Sequence, residues 1–271
     1  MKYAIISDIH GNLPAWQAFW RDRLKHGVEA VICLGDIVGY GPRPAEVLAR
    51  VRKTTQHILM GNHDAAVCGL FGAENFNDEA RHMVEVTRSL LSDEAYASLR
   101  SLPYVLELEC AHGLVALTHA SMCQPDQFPY IFTERDARRC WAACEAVLVF
   151  VGHTHLPRVM TLAVDNTYSV GLPNAFIPER RKRYIVNTGS VGMPRVNELY
   201  ASYCTYDTET QMVQWHRVTY ETEGYRRDVL ARLGDTREAR ELLNLFLPHP
   251  EHPQRGVPAG TEFPISAMRF R

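Results

Sequence analysis

The chain lacks any long hydrophobic run. No stretch of its 271 residues approaches the ~20 consecutive apolar residues of a membrane span, so no membrane-embedded part is expected. It also lacks an excess of either charge. A formal net charge of −2 argues against a broad nucleic-acid-binding face, which needs clustered Lys and Arg. The run Arg180-Arg181-Lys182-Arg183 is the exception, and it reads as a solvated loop or strand edge. Cys-x-x-Cys pairs are missing. The seven cysteines, Cys33, Cys68, Cys110, Cys123, Cys140, Cys144 and Cys204, are odd in number and scattered. That pattern fits reduced thiols in a cytosol better than a disulfide framework, so a cytoplasmic location is expected. Tyr3 to Ile6 is too short for the apolar region of a signal peptide. Internal repeats and low-complexity linkers are absent too. Residues 1–247 therefore read as a single domain, and 248–271 as a Pro-containing tail.

What is present is an alternation. Short apolar runs at Tyr3–Ser7, Ala30–Leu34 and Gln56–Met60 read as buried strands. Pro14–His26 and Pro44–Val51 between them have helical spacing, with Pro14 suited to a first turn. Strand, helix, strand argues for parallel strands joined by crossover helices. Asn77 offers a helix N-cap, and Ser92-Asp93-Glu94 starts another helix. Val105–Leu108 and Val115–Thr118 form a candidate hairpin across His112-Gly113. A helix over Glu134–Cys144 precedes a strand at Val147–Val151. Beyond Pro157 the pattern changes to short, mainly antiparallel strands, then one or two helices within Tyr225–Leu247.

Four polar clusters stand at the ends of these strands: Asp8-Ile9-His10, Gly35-Asp36, Gly61-Asn62-His63-Asp64 and Gly152-His153-Thr154-His155. His119 follows another apolar run. The C-terminal edge of parallel strands is where open α/β sheets bind ligands. Two carboxylates, an amide oxygen and several imidazoles are the donor inventory of a site for two divalent cations. Residues two apart in extended backbone point the same way, so Asp8 with His10, and His153 with His155, are expected to grip from one face. Asp36 has two oxygens with which to bridge two cations.

In this order the clusters resemble the motif series of the calcineurin-like metallophosphoesterases: Asp-x-His, Gly-Asp, Gly-Asn-His-Asp/Glu, a lone His, then Gly-His-x-His. The resemblance spans residues 8–155, about half the chain, and is nearest to small prokaryotic phosphodiesterases and diadenosine tetraphosphatase-like members. Ala120 stands where relatives often carry Gly, and Thr188 where some carry Pro. The resemblance implies an α/β fold of two facing mixed sheets flanked by helices, a four-layer αββα sandwich. It implies one metal held by Asp8, His10, Asp36 and His155, and a second by Asp36, Asn62, His119 and His153. Manganese leads the expectation, with Fe, Zn, Co and Ni as other fits to mixed N and O ligands. His63 matches a histidine that contacts the phosphate or leaving group, and Asp64 the acid that orients it.

Two cations ~3.5–4 Å apart lower the pKa of a shared water and neutralise phosphoryl charge. A bridging hydroxide is then the expected nucleophile. His63, kept protonated by Asp64, is the expected general acid. Tyr40 and Phe76 are candidate stacking partners for a base, and Arg195 a candidate clamp on a distal phosphate. The glycine-rich segment Asn187–Arg195 either faces an anion with its N–H groups or only shapes turns. A small phosphodiester or nucleotide-type substrate is expected. A protein Ser/Thr phosphatase and a non-catalytic scaffold of the same fold are the alternatives. Natural substrate and oligomeric state are not legible.

Overall fold

The computed structural model describes residues 1–72, 74, 76–110, 113–195 and 199–246. The tail beyond residue 247, and Ala111 and His112 in the expected hairpin turn, lie outside the described residues. The first sheet contains β1 (Lys2–Ile6), β2 (Ala30–Cys33), β3 (His57–Ile58), β9 (Ala175–Phe176), β11 (Ala201–Asp207) and β12 (Val213–Val218), in the order β3-β2-β1-β11-β12-β9. The second contains β4 (Val105–Cys110), β5 (Gly113–Thr118), β6 (Leu148–Val151), β7 (Arg158–Leu162), β8 (Tyr168–Gly171) and β10 (Arg183–Asn187), in the order β4-β5-β6-β10-β7-β8. Both sheets are mixed. β1, β2 and β3 run parallel, as do β5, β6 and β10, and the remaining pairs are antiparallel.

Strand periodicity explains the layering. Successive residues of a strand face opposite sides, and in these strands both sides are apolar. Ile5, Ile32, Leu117, Phe150, Val186 and Cys204 meet between the sheets. Ala4, Ile6, Val31, Cys33 and Tyr203 face outward onto α1 (Leu13–Asp22) and α2 (Pro44–Thr54). Ala116, Val149, Val151 and Ile185 face outward onto α6 (Glu134–Ala142) through Ala137, Cys140 and Trp141. The result is helix, sheet, sheet, helix.

Caps set the helix starts. Asn12 accepts from the Ala15 N–H, Asn77 from Ala80 at the start of α4 (Asp78–Leu90), and Ser92 from Ala95 at the start of α5 (Asp93–Arg100). The basic run is not uniformly solvated. Arg183 donates to the carbonyls of Trp141, Cys144 and Ala146 and so closes the end of α6. All seven thiols are free. No helix among the described residues is long and apolar enough to cross a membrane.

Candidate dinuclear metal centre

The C-terminal ends of β1, β2, β3, β5 and β6 bring Asp8, His10, Asp36, Asn62, His63, His119, His153 and His155 to one edge, all buried. Asn62 opens a short helix, α3 (Asn62–Val67), that follows β3 directly.

The route to convergence differs from extended backbone. Asp8, His10, Asp36, His153 and His155 all have left-handed φ, between 48° and 62°. That conformation costs a non-glycine residue on the order of 1 kcal/mol or more. The Asp-x-His and His-x-His pairs therefore point inward because tight turns at the strand ends redirect them, not because the pleat repeats every two residues. Neighbouring glycines make room for those turns. A Cβ on Gly152 would run into Ser7 Oγ and Asp8 Oδ2, and one on Gly61 into the Asp36 N–H and Oδ1.

The inward atoms interleave. His155 Nε2 lies 3.2 Å from Asp8 Oδ1 and 3.3 Å from His10 Nε2. Asp36 Oδ2 lies 3.6 Å from His10 Nε2 on one side and 3.5 Å from His119 Nε2 on the other. His119 Nε2 is 3.0 Å from Asn62 Oδ1, and the His153 ring is centred 5.0 Å from that of His119. Asp8-His10-His155, His10-Asp36-His63 and Asp8-Asp36-His119 are overlapping sets, each able to surround a metal ion. Asp8 Oδ1 and His153 Nε2 are buried with no hydrogen-bond partner. Buried polar atoms are normally satisfied, and a cation held by Asp8, His10 and His155 would satisfy Asp8 Oδ1.

The remaining bonds fix the frame. Asp8 Oδ2 accepts from the His153 N–H at 3.0 Å, and Asp36 Oδ1 from the His63 N–H at 2.8 Å. The outer nitrogen of His10 donates to Val38 O at 3.3 Å, and that of His155 to Met193 O at 2.6 Å. In the glycine-rich segment, Val191 and Gly192 give their N–H groups to Ser7 O and Asp8 O, while Ser190 Oγ donates to Asp8 O. Those N–H groups brace Asp8, which is the turn-shaping role rather than the anion-facing one.

Charges inside the cluster act on one another. Burial raises the Asp36 carboxyl, but His119, His63 and His10 outweigh it and hold the group well below the ordinary carboxylate range. For Asp8, burial is likewise outweighed, by His155 and His119. Burial works against a charged His119, yet Asp36 and Asp8 raise it to about 9. Burial drives His10 and His153 well below the usual imidazole value.

Three expectations need correction. Asp64 does not orient His63. One of its oxygens accepts the N–H groups of Ile37 and Val38, the other that of Gly61, so it fastens the loop after β2 to the first turn of α3. Nor does a neighbouring carboxylate raise His63: burial pushes it down to about 4 despite Asp36. Tyr40 is no open platform for a base. It is buried, its ring 5.1 Å from His10 and 4.7 Å from His63, where it supports both imidazoles from behind. Phe76 is half-buried against the other side of His63, at 4.6 Å. Arg195 is exposed, and its charge reaches both His63 and His153.

Phe128 and Tyr130 were not among the expected site residues. Phe128 meets His119 edge-on at 5.9 Å, and Tyr130 stacks on His153 at 3.9 Å. No motif marks them, and the only trace is the density of rings in Phe128-Pro129-Tyr130-Ile131-Phe132.

Residues 1–211 match the family model of the calcineurin-like phosphoesterase superfamily domain. The chain belongs to that superfamily. It is thus a metal-dependent phosphoesterase by family, and its Asp/His sets suit the divalent metals such enzymes bind. A metallophosphoesterase from Sphaerobacter thermophilus is similar in structure, with a TM-score of 0.77 and 33% identity over 91% of this chain and 99% of that one. The protein MJ0912 of Methanocaldococcus jannaschii is 33% identical over 233 residues, 85% of this chain and 93% of that protein. Phosphodiesterase YfcE of Escherichia coli K12 is 29% identical over 160 residues, 58% of this chain and 71% of that enzyme.

Proposed function

We propose that this protein hydrolyses small phosphodiesters or nucleotide-type phosphoesters at a centre of two divalent cations, manganese first among them. Asp8, His10, Asp36 and His155 would hold one cation, and Asp36, Asn62, His119 and His153 the other. The observation that carries this reading is the position of Asp36 Oδ2, between imidazole nitrogens of the two sets at 3.6 and 3.5 Å. Bound there, two divalent cations make water acidic enough to react near neutral pH and neutralise phosphoryl charge.

The chain's own groups do the rest. His63, held between Tyr40 and Phe76, carries a buried Nδ1 with no partner. As a neutral imidazole it would offer an N–H hydrogen bond to a phosphoryl or leaving oxygen. Asp64 serves this contact only by fixing the turn from which His63 projects. Arg195 stands exposed at the rim, suited to a second anionic group of the substrate. Residues 1–247 act as one unit in this reading, because both sheets supply ligands. The related YfcE is a phosphodiesterase, which supports the choice of substrate class.

The test is hydrolysis of a chromogenic phosphodiester by chelator-treated protein before and after Mn²⁺ is restored. Turnover that returns with metal and is absent in Asp36→Asn is expected. No rate above the Asp36→Asn control in any divalent metal would overturn the proposal. Inhibition by nucleotides but not by phosphopeptides would separate it from a protein phosphatase.

A further inference from the structure

Metal-binding histidines usually anchor their outer nitrogen through a hydrogen bond, which fixes the ring's direction. His10 and His155 follow that rule, through Val38 O and Met193 O. His119 and His153 do not. His119 Nδ1 and His153 Nε2 are buried without a partner. Rings take the place of those bonds. Tyr130 lies on His153 at 3.9 Å with 19° between the planes, and Phe132 on Tyr130 at 5.0 Å and 16°. The guanidinium of Arg158 sits 5.7 Å from the Phe132 ring, and its Nη2 donates to Ile131 O at 2.7 Å. Ile131 is buried in the core under α6. The column is therefore fastened at its outer end and presses on a metal-facing imidazole at its inner end.

Phe128 serves His119 in the same way. It is a buried, bulky residue at φ 49°, which is an unusual conformation for such a side chain. That turn sets its ring against the edge of His119 at 5.9 Å. One segment, Phe128 to Phe132, thus supports both unanchored histidines.

We propose that Tyr130 is a positioning residue for the second metal. Its stack on His153, backed by Phe132 and Arg158, substitutes for the missing hydrogen bond. Stacking fixes the plane of a ring but resists rotation within that plane less than a hydrogen bond does. The half of the centre built on Asn62, His119 and His153 accordingly holds its cation more weakly than the half built on Asp8, His10 and His155. This inference rests on the two-metal reading above.

Manganese titration of chelator-treated protein by calorimetry tests it. Wild type should show two binding events, and Asn62→Ala should remove the weaker. Tyr130→Ala should weaken that same event about 10-fold or more and leave the tighter one within about twofold. Tyr130→Phe keeps the stack and should restore wild-type affinity. Tyr130 is 43% exposed, so its truncation leaves the core intact, which a thermal melt of each variant checks. Two events that both ignore Tyr130→Ala, or that weaken together, would overturn this inference alone. A single event in wild type would overturn the two-metal reading with it.

Discussion

His10 and His155 lock their outer nitrogens onto main-chain carbonyls, whereas His119 and His153 lean on Phe128 and Tyr130. The first pair sits in left-handed turns at φ 48° and 61°, packed round Asp8 and the segment after β10. In the second pair only His153 does so, and its partners Asn62 and His119 come from a helix start and a strand end. One half of the centre is thus built into the backbone and the other is propped by side chains. Directional bonds specify a ring's orientation, while aromatic contact areas only bias it. Asp36 Oδ2 reaches both halves most evenly, at 3.6 Å from His10 Nε2 and 3.5 Å from His119 Nε2, while Asp8 Oδ1 lies 3.2 Å from His155 Nε2 and 3.9 Å from His119 Nε2.

The largest effect should therefore come from Asp36. Asp36→Asn removes the shared charge, and phosphodiester turnover should fall by on the order of 10³-fold or more, measured at saturating metal. Next is His63→Asn, which leaves both ligand halves in place. It should cost roughly 10²-fold or more in kcat, with both manganese affinities unchanged by calorimetry. If metal binding falls too, His63 belongs to a ligand set and not to the contact with the reacting phosphate. Gly152→Ala strikes the backbone-built half, because its Cβ collides with Ser7 Oγ and Asp8 Oδ2. We expect a loss of about 1–3 kcal/mol in urea unfolding and a weakened tighter metal event. That is the mirror image of Tyr130→Ala.

The smallest effect concerns a histidine outside the centre. His216 is buried on the outer face of the first sheet, stacked on Tyr203 and 3.9 Å from the His26 ring. Burial, then His26, pushes it down to about 4, where two carboxylates raise the more deeply buried His119 to about 9. A lowered pKa means that the folded chain binds fewer protons than the unfolded one. Stability from His216 is then complete above the unfolded value of 6.5 and is lost as pH falls toward 4. Urea unfolding at pH 7 and pH 5 should differ by on the order of 1 kcal/mol from this residue, and His216→Gln should remove that share.

The same contrast explains what was legible in the sequence. Every candidate ligand except the lone His119 stood in a short motif, because turns at strand ends need Gly and tolerate Asp and His at fixed spacings. Strand and helix positions followed from apolar runs whose both faces are covered, as at Ile5 and Ile6. The left-handed turns at Asp8 and His10 were not legible, since spacing of two is shared by strands and by these turns. Asp64 was misread for a similar reason: adjacency to His63 in sequence says nothing of which backbone N–H groups its carboxylate meets. Tyr40 read as a candidate stacking partner for a base, whereas α4 and the helices α7 (Thr222–Leu233) and α8 (Arg237–Phe246) cover it through Met83, Tyr225 and Leu242. Phe128 and Tyr130 act through contacts 9 and 23 positions away, at His119 and His153, and no local pattern encodes those.

Anomalous diffraction from crystals grown with manganese would locate the cations themselves. Two peaks are expected with Asp36 between them, one ringed by Asp8, His10 and His155, the other by Asn62, His119 and His153. A single peak, with Asn62 and His119 turned away from it, would contradict the account.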